Sequence, residues 1–372
     1  MHGKVHPGDE MTSRERLLAA YRGREVDRLP FWAKVANPTW RLSQPREVRD
    51  LSERELLDFI HADGLFGLPA GLRVHQPRVS VETHRRDHSE TRITHTPDGD
   101  LTEQWRQDPA TESWHPTDFP VKCRQDLERF RWVYADVRVE VDGDALAAAK
   151  ARTDEIGPRG ITHTGFGTSP LMHLVQHVIG PIDTAYMLFD HPGPMDELME
   201  LMHQVHLAKA KCVAESTPAD VIISGENTST TLISPQQFEK YCYRHLCDYG
   251  RAIQSAGKMH ELHMCGHLRA LLERIDAIPA DSIEAFTSPT LGNTRLADGR
   301  KEAASKTLVG GTNVNVWLWP AERIRQYILT ELAACPDNRR IVLTTAGVAP
   351  PGCPAEKFRQ IGQWIPSVPV KL

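Results

Sequence analysis

Short runs of apolar residues alternate with longer amphipathic stretches over most of the chain from residue 158 onward. The apolar runs predict buried strands at residues 160–165, 220–225, 258–263, 282–286, 307–311 and 340–344. Helices are predicted between them, from Pro170 and near residues 194–215, 234–256, 266–275, 320–334 and 354–363. Two earlier strands are predicted at residues 29–35 and 64–67. Repeated strand–helix units with apolar strands are typical of a parallel sheet that is covered on both faces.

Eight such units predict an α/β fold, a closed (β/α)8 TIM barrel, with a doubly wound open sheet as the alternative. We expect one barrel domain over residues 11–372, preceded by a flexible N-terminal tail at residues 1–10. The first helix is predicted to begin after Thr12, which is three residues before Glu15 and fits a capping box.

Residues 70–135 have a different pattern, in which polar and apolar residues alternate. Residues 79–83 and 91–96 alternate as half-buried strands do, and Asp98-Gly99 provides the turn chemistry of a hairpin. We interpret this segment as a β-rich insertion after the second strand of the barrel, because nothing resembling a linker bounds it.

Composition excludes several classes of protein. The chain has 372 residues with 44 Lys and Arg against 49 Asp and Glu, so its net charge of -5 favours neither nucleic acid nor an anionic membrane as a partner. Its apolar runs are shorter than the roughly 20 residues of a membrane helix. The first residues do not resemble a signal peptide, so a cytoplasmic location is expected. Seven cysteines without a compact spacing pattern are expected to be free thiols.

Polar and unusual residues follow the predicted strands of the barrel at the point where each strand ends. Glu226 and Asn227 follow one strand, and His263-Met264-Cys265-Gly266-His267 ends another. Asn313 and Cys353 follow the last two strands. Active sites of such barrels lie at the carboxyl ends of the strands, so these residues are the candidates for catalysis.

The His263-x-Cys265 pair is the most specific local signal. Residues i and i+2 of an extended segment point the same way, and Zn²⁺ accepts an imidazole and a thiolate together. A catalytic zinc needs a third protein ligand, for which Cys353 is the best candidate and Glu226 an alternative. His267 competes with His263 for the role of imidazole ligand, or else caps the next helix. A buried histidine beside a small core cysteine is the structural alternative.

Other strand-end residues have predicted roles in catalysis or substrate binding. Glu226 is the candidate general acid or base, although a carboxylate at a helix start is an equal alternative. His163, Asn227 and Asn313 are candidate substrate-binding residues, with core polar groups bonded to the backbone as the alternative. His173 and His177 are spaced i, i+4 on a helix but lack the H-E-x-x-H pattern, so we interpret them as structural.

The sequence resembles the uroporphyrinogen decarboxylase superfamily, in its methyltransferase-like branch. The matching segments are residues 11–20, 27–30, 119–122, 126–128, 232–238, 263–266 (His263-Met264-Cys265-Gly266) and 350–356 (Pro350-Pro351-Gly352-Cys353-Pro354-Ala355-Glu356), together with Trp105. The family fold is a (β/α)8 barrel. The decarboxylases proper have an arginine-rich segment after the first strand, whereas residues 31–40 have one lysine and no arginine here. A porphyrin with many carboxylates is therefore not the expected substrate.

The methyltransferase branch implies a zinc site made by H-x-C and a later cysteine. His263, Cys265 and Cys353 are then the metal ligands, although Ala346-Gly347 stands where the family usually has that later cysteine. The resemblance implies methyl transfer between a small thiol, pterin or methylated compound and methylcobalamin, which is free or bound to a partner corrinoid protein. A metal-independent lyase for a small carboxylated substrate and a non-catalytic binding protein are the alternatives. The oligomeric state stays open, with a homodimer as one option.

Overall fold

The computed structural model describes residues 3–109 and 112–371. Residues 1–2 of the predicted tail, residues 110–111 of the predicted insertion and residue 372 therefore lie outside the described residues. In these ranges the strands are β1 Gly64–Gly67, β2 Leu72–His75, β3 Ser80–Arg86, β4 Ser89–Thr96, β5 Gly99–Gln107, β6 Trp114–Asp118, β7 Arg138–Val141, β8 Gly160–Gly167, β9 Val221–Ser224, β10 Met259–His263, β11 Ser282–Phe286, β12 Thr307–Gly311 and β13 Ile341–Thr344.

Fifteen α-helices lie in the described ranges, and those after β8 alternate with the parallel strands. They are α1 Ser13–Tyr21, α2 Pro38–Leu42, α3 Arg46–Arg49, α4 Glu53–Phe59, α5 Arg124–Tyr134, α6 Gly143–Ile156, α7 Pro170–His173, α8 Pro181–Asp190, α9 Pro192–Ser216, α10 Pro235–Phe238, α11 Arg244–Ser255, α12 Leu272–Asp276, α13 Leu296–Glu302, α14 Ala321–Ala333 and α15 Ala355–Trp364. Short π-helical segments, Leu174–Val178 and Glu239–Tyr243, extend α7 and join α10 to α11.

Seven parallel strands form one curled sheet in the order β1-β8-β9-β10-β11-β12-β13, an α/β fold consistent with a TIM-like barrel. The predicted strand at residues 29–35 is reduced to a parallel bridge between Phe31 and Leu343 of β13. Phe31 also accepts a hydrogen bond from the Asp63 backbone at 2.6 Å, so this segment contacts both edges of the sheet. A full strand does not form because the Phe31 N–H bonds to the Asp63 carboxylate instead of to a neighbouring strand.

Alternate residues of the strands face two different cores. The inward residues of the amino-terminal half form one cluster, which α1 covers with Leu17, Ala20 and Tyr21: they are Leu65, Ile161, Val221, Met259, Val309 and Val342. The outward residues, such as Ile222, pack against the surrounding helices in the main core. Burial on both faces explains the continuous apolar runs in β9 and β13.

An ion-pair cluster fixes the amino-terminal segment to the sheet. Arg16 lies 2.7 Å and Arg28 3.0 Å from oxygens of the buried Asp63 carboxylate. Asp9 is only 6% exposed and lies 2.9 Å from Arg28. The prediction of a flexible tail at residues 1–10 did not anticipate this, because the partners of Asp9 are distant in sequence.

The chain between β1 and β8 forms two antiparallel sheets. Strands β3 to β6 pair in sequence order, and Asp98-Gly99 lies at the turn between β4 and β5. The indole of Trp132 on α5 donates a hydrogen bond to the Asp98 carboxylate at 2.7 Å. In residues 3–109 and 112–371, no helix has the length and apolar character needed to cross a bilayer.

Candidate functional site

Two cavities open at the carboxyl ends of the parallel strands. The first, of about 380 Å³, is lined by Trp32, Lys34, Leu65, Gly67 and His163 among others. The second, of about 510 Å³, is lined by His163 and by residues of β8, α7 and α9. Because His163 borders both, the cavities are adjacent parts of one opening.

Glycines create this space. Near the amino ends of the strands, the inward positions are occupied by Leu65, Ile161 and Val221. Nearer the carboxyl ends, the inward positions include Gly67, Gly165 and Gly225. A Cβ atom added at Gly67 would meet only the His163 ring, at 3.8 Å. The strand sequences therefore fill the closed end of the sheet and leave the other end open.

A charged group of three residues lies at the end of β10 and β11. His263 Nδ1 is hydrogen-bonded to the Glu284 carboxylate, and Lys34 forms an ion pair with the other oxygen of that carboxylate. Glu284 is 3% exposed, and this burial acts to raise the pKa of its carboxyl group. The charges of Lys34 and His263 outweigh burial, so the pKa is lowered. Burial acts to lower the pKa of His263, but hydrogen bonds with Cys265 and Glu284 outweigh burial. The net effect raises the pKa of His263 to about 9. At neutral pH the site therefore contains an imidazolium and a carboxylate.

Cys265 is an exposed thiol next to this group. Its sulfur lies 3.1 Å from Asn227 Oδ1 and also shares a hydrogen bond with the His263 imidazole. Asn227 has a positive φ of 49°, which asparagine tolerates, and its amide donates to Gln176 Oε1 at 2.6 Å. The predicted substrate-binding residue Asn227 thus orients the cysteine.

The structure does not bring Cys353 to His263 and Cys265. Cys353 is fully buried in the main core, and its backbone carbonyl accepts a hydrogen bond from the Trp40 indole at 2.8 Å. Burial raises the pKa of its thiol to about 12. Within the described ranges, no group of three or more His, Cys, Asp or Glu side chains is placed to hold a metal ion.

The donor set therefore does not fit a three-ligand zinc site. His263 and Cys265 provide the imidazole and sulfur that zinc prefers, and a carboxylate on the far nitrogen of the histidine is a usual support for such a ligand. The third ligand is missing among the residues that the structure describes. His267 does not supply it, and its backbone N–H bonds to the Ser229 hydroxyl at 3.1 Å.

Glu226 is fully buried and lines neither cavity. Its carboxylate accepts hydrogen bonds from the backbone N–H of Ser169 at 2.7 Å and from the hydroxyls of Ser169 and Thr168. Burial raises its pKa to about 7 although these hydrogen bonds lower it. Ser169 precedes the first residue of α7, so the position is that of a carboxylate at a helix start rather than of a group facing substrate.

The remaining two predicted substrate-binding residues differ in position. His163 lies between the two cavities, and burial lowers its pKa to about 4, so it is neutral. Asn313 is buried, and its amide bonds to Ser288 and Pro289 and accepts from the Asn315 backbone at 3.0 Å. Its polar atoms are used within its own loops, as in the structural alternative.

Sequence reasoning missed several residues of the opening. Lys34 and Glu284 are far apart in the sequence. The available sign of this pair was a glutamate within the short strand β11, because a buried carboxylate requires a partner. The second cavity adds six polar residues, of which His173 and His177 were interpreted as structural: they are Tyr134, Thr168, His173, His177, His206 and Lys209.

Comparisons with known proteins fit this fold. Residues 120–365 match the family described as uroporphyrinogen decarboxylase (URO-D). No curated protein matches the chain. A solved methyltransferase from Methanosarcina mazei is similar over 94% of this chain and 97% of that chain, with 15% identity and a TM-score of 0.59. At this identity the likeness shows a shared fold and no more.

Proposed function

Because the chain belongs to the uroporphyrinogen decarboxylase family, we propose that it is an enzyme that acts beside the opening lined by Lys34 and His163, where Glu284 connects Lys34 to His263 and Cys265 follows. The proposed reaction transfers a methyl group between a small thiol, pterin or methylated compound and a corrinoid, which is free or bound to a partner protein. One observation carries this proposal: the exposed Cys265 sulfur lies beside an imidazolium that a buried carboxylate holds in place.

The charges at the opening suit an anionic acceptor. A thiol acceptor must lose its proton to solvent before it attacks, and a nearby imidazolium stabilises the thiolate that remains. The sulfur–carbon bond then forms while the bond between the methyl carbon and its donor breaks, and the electron pair of that bond leaves with the donor. Glu284 keeps His263 protonated and Lys34 offsets the charge of Glu284.

Zinc stays a prediction from the H-x-C motif. His263, after losing its Nε2 proton, and Cys265 would be its ligands, but two protein ligands are too few for a catalytic site of the usual kind. The proposal for methyl transfer therefore rests on the sulfur, the imidazolium and the open cavities, and metal analysis is part of its test.

A second candidate is a metal-independent lyase that acts on a small carboxylated substrate. The incomplete donor set and the two cations that flank Glu284, Lys34 and His263, favour it. In such a reaction the substrate carboxylate leaves as carbon dioxide, and the electron pair left on carbon takes a proton that the His263 imidazolium supplies.

The two candidates differ in their products and in their need for Cys265. We expect the purified chain to transfer methyl groups from methylcobalamin to a thiol, followed by the change in cobalamin absorbance. Cys265→Ala should lose this transfer, whereas Cys123→Ala, which removes another exposed cysteine, should retain it. Equal rates for Cys265→Ala and the wild type would contradict the methyl-transfer proposal, and carbon dioxide release that survives Cys265→Ala and chelation would support the lyase. Zinc bound at one ion per chain and lost in Cys265→Ala would support the metal prediction.

A further inference from the structure

The second cavity contains a lysine without a counter-charge. Lys209 lies on α9 and lines this cavity, and burial lowers its pKa. In residues 3–109 and 112–371 it forms no ion pair or hydrogen bond with the protein, unlike Arg16, Arg28 and Lys34, whose carboxylate partners lie within the core. A half-buried ammonium without a partner loses solvation and gains nothing in return.

The neighbouring carboxylate does not neutralise Lys209. Lys209 and His177 also border a cavity of about 430 Å³ that extends towards the antiparallel sheet and contains Glu103. The Glu103 carboxylate lies 3.8 Å from Arg92, which also pairs with Glu90 at 2.6 Å. Glu103 and Glu90 are therefore paired with Arg92 and not with Lys209.

Neutral histidines surround the ammonium. Burial lowers the pKa of His173 to about 3, with the charges of His177 and Lys209 acting in the same direction. Its ring lies 5.4 Å from that of His177, which the π-helical segment after α7 carries. His206 is already bonded, through Nδ1 to the Thr168 carbonyl and at 3.5 Å to the Tyr134 hydroxyl. The rings of His173 and His177 thus have N–H donors to offer to a ligand.

We propose that the second cavity binds a carboxylate of the substrate, with Lys209 as its counter-charge and His173 and His177 as hydrogen-bond donors. This inference rests on the proposed function, since the cavity shares His163 with the first cavity and belongs to the same opening. One ammonium and neutral imidazoles match a singly charged carboxylate, whereas a doubly charged phosphate would leave one charge unpaired.

The test is the affinity of the purified full chain for hexanoate, measured by isothermal titration calorimetry, with inorganic phosphate as the second probe. Lys209→Met removes the charge while keeping a long apolar side chain, and Lys211→Met is the matched control on the exposed side of the same helix. We expect Lys209→Met to weaken hexanoate binding by about tenfold or more, as for the loss of a charged hydrogen bond, and Lys211→Met to leave it unchanged. His173→Phe should weaken it by a smaller factor, and thermal unfolding checks that each variant folds.

Three outcomes would overturn the inference: no hexanoate binding by the wild type, equal affinity of Lys209→Met and the wild type, or tighter binding of phosphate than of hexanoate. If Lys34→Met lost hexanoate binding while Lys209→Met retained it, the carboxylate would bind in the first cavity. That result would also overturn the inference. Failure of the proposed function is recognised separately, because methyl transfer depends on Cys265 whereas hexanoate binding at Lys209 does not.

Discussion

The Cys265 sulfur lies 3.1 Å from the side-chain oxygen of Asn227, which joins the segments that follow two adjacent strands of the sheet. The oxygen accepts from the thiol, so Asn227 orients the sulfur without adding charge. Asn227→Asp keeps the shape and tolerates the same positive φ, but a carboxylate at this distance disfavours the thiolate. We expect iodoacetamide to alkylate Cys265 more slowly in this variant, by about tenfold, as measured by mass spectrometry. Cys123 in the same sample is the internal control, and unchanged alkylation of Cys265 would contradict the contact.

His263 gives the site a dependence on pH. Its folded-state pKa is raised from 6.5 to about 9, so its contribution to stability is fully present below pH 6.5 and is lost as the pH rises through about 9. Activity that needs the imidazolium should fall over the same range. Glu284→Gln removes the carboxylate, and we expect the pKa of His263 to fall towards its ordinary value, as followed by NMR of the ring. A His263 titration that is identical in this variant would show that Glu284 does not control it.

Asp63 ties the amino-terminal segment to the sheet, and its substitution should destabilise the fold. Asp63→Asn removes one of the two carboxylates that the buried Arg16 and Arg28 share, the other being Asp9, so we expect a loss of about 3 kcal/mol in urea unfolding. Asp50→Asn breaks the exposed pair with Arg46 and should cost less than about 1 kcal/mol.

The same carboxylate should contribute to acid unfolding. Burial raises the pKa of Asp63, but Arg28 and Arg16 lower it well below the ordinary value of 3.8. Its stabilisation is therefore present above about pH 4 and is lost as the pH falls below that value towards the folded-state pKa. The wild type should lose more stability than Asp63→Asn between pH 5 and pH 3, on the order of 1 kcal/mol or more. Equal losses would contradict this assignment.

Gly67 keeps the first cavity open, and its substitution should separate stability from function. Its φ is not in the left-handed region, and an added Cβ meets only His163 at 3.8 Å. We expect Gly67→Ala to stabilise the chain by about 0.5–1 kcal/mol, because a strand glycine costs entropy on folding. Gly67→Leu should fill the cavity and raise KM while the unfolding midpoint stays close to that of the wild type. A KM that does not change would exclude the first cavity from substrate binding.

The sequence predicted the strands from β8 to β13 well because each is a short segment rich in apolar residues between two longer amphipathic stretches. It predicted the strand at residues 29–35 less well, since the competing Asp63 carboxylate is not visible in a local pattern. The same limit applies to the tail, whose Asp9 pairs with Arg28 across 19 residues.

At the site, local spacing predicted that His263 and Cys265 lie together, because both follow from one strand. It did not predict the position of Cys353, which depends on how the loop after β13 turns at Ala346 and packs against Trp40. Lys34 follows the bridge at Phe31 and Glu284 lies in β11, and the two meet only through the curvature of the sheet. Their pairing is a property of the fold that no short segment contains.

Helix α1 and its ion pairs close one end of the sheet, so the proposed reactants would enter and leave through the opening lined by His163. Two reactants that share a pocket with one entrance must bind alternately or in a fixed order. In ordered binding, the inner reactant binds first and dissociates last. A large methyl carrier would then dock last, over a small molecule that is already seated beneath it. Steady-state rates measured against both reactants should follow an ordered scheme of this kind.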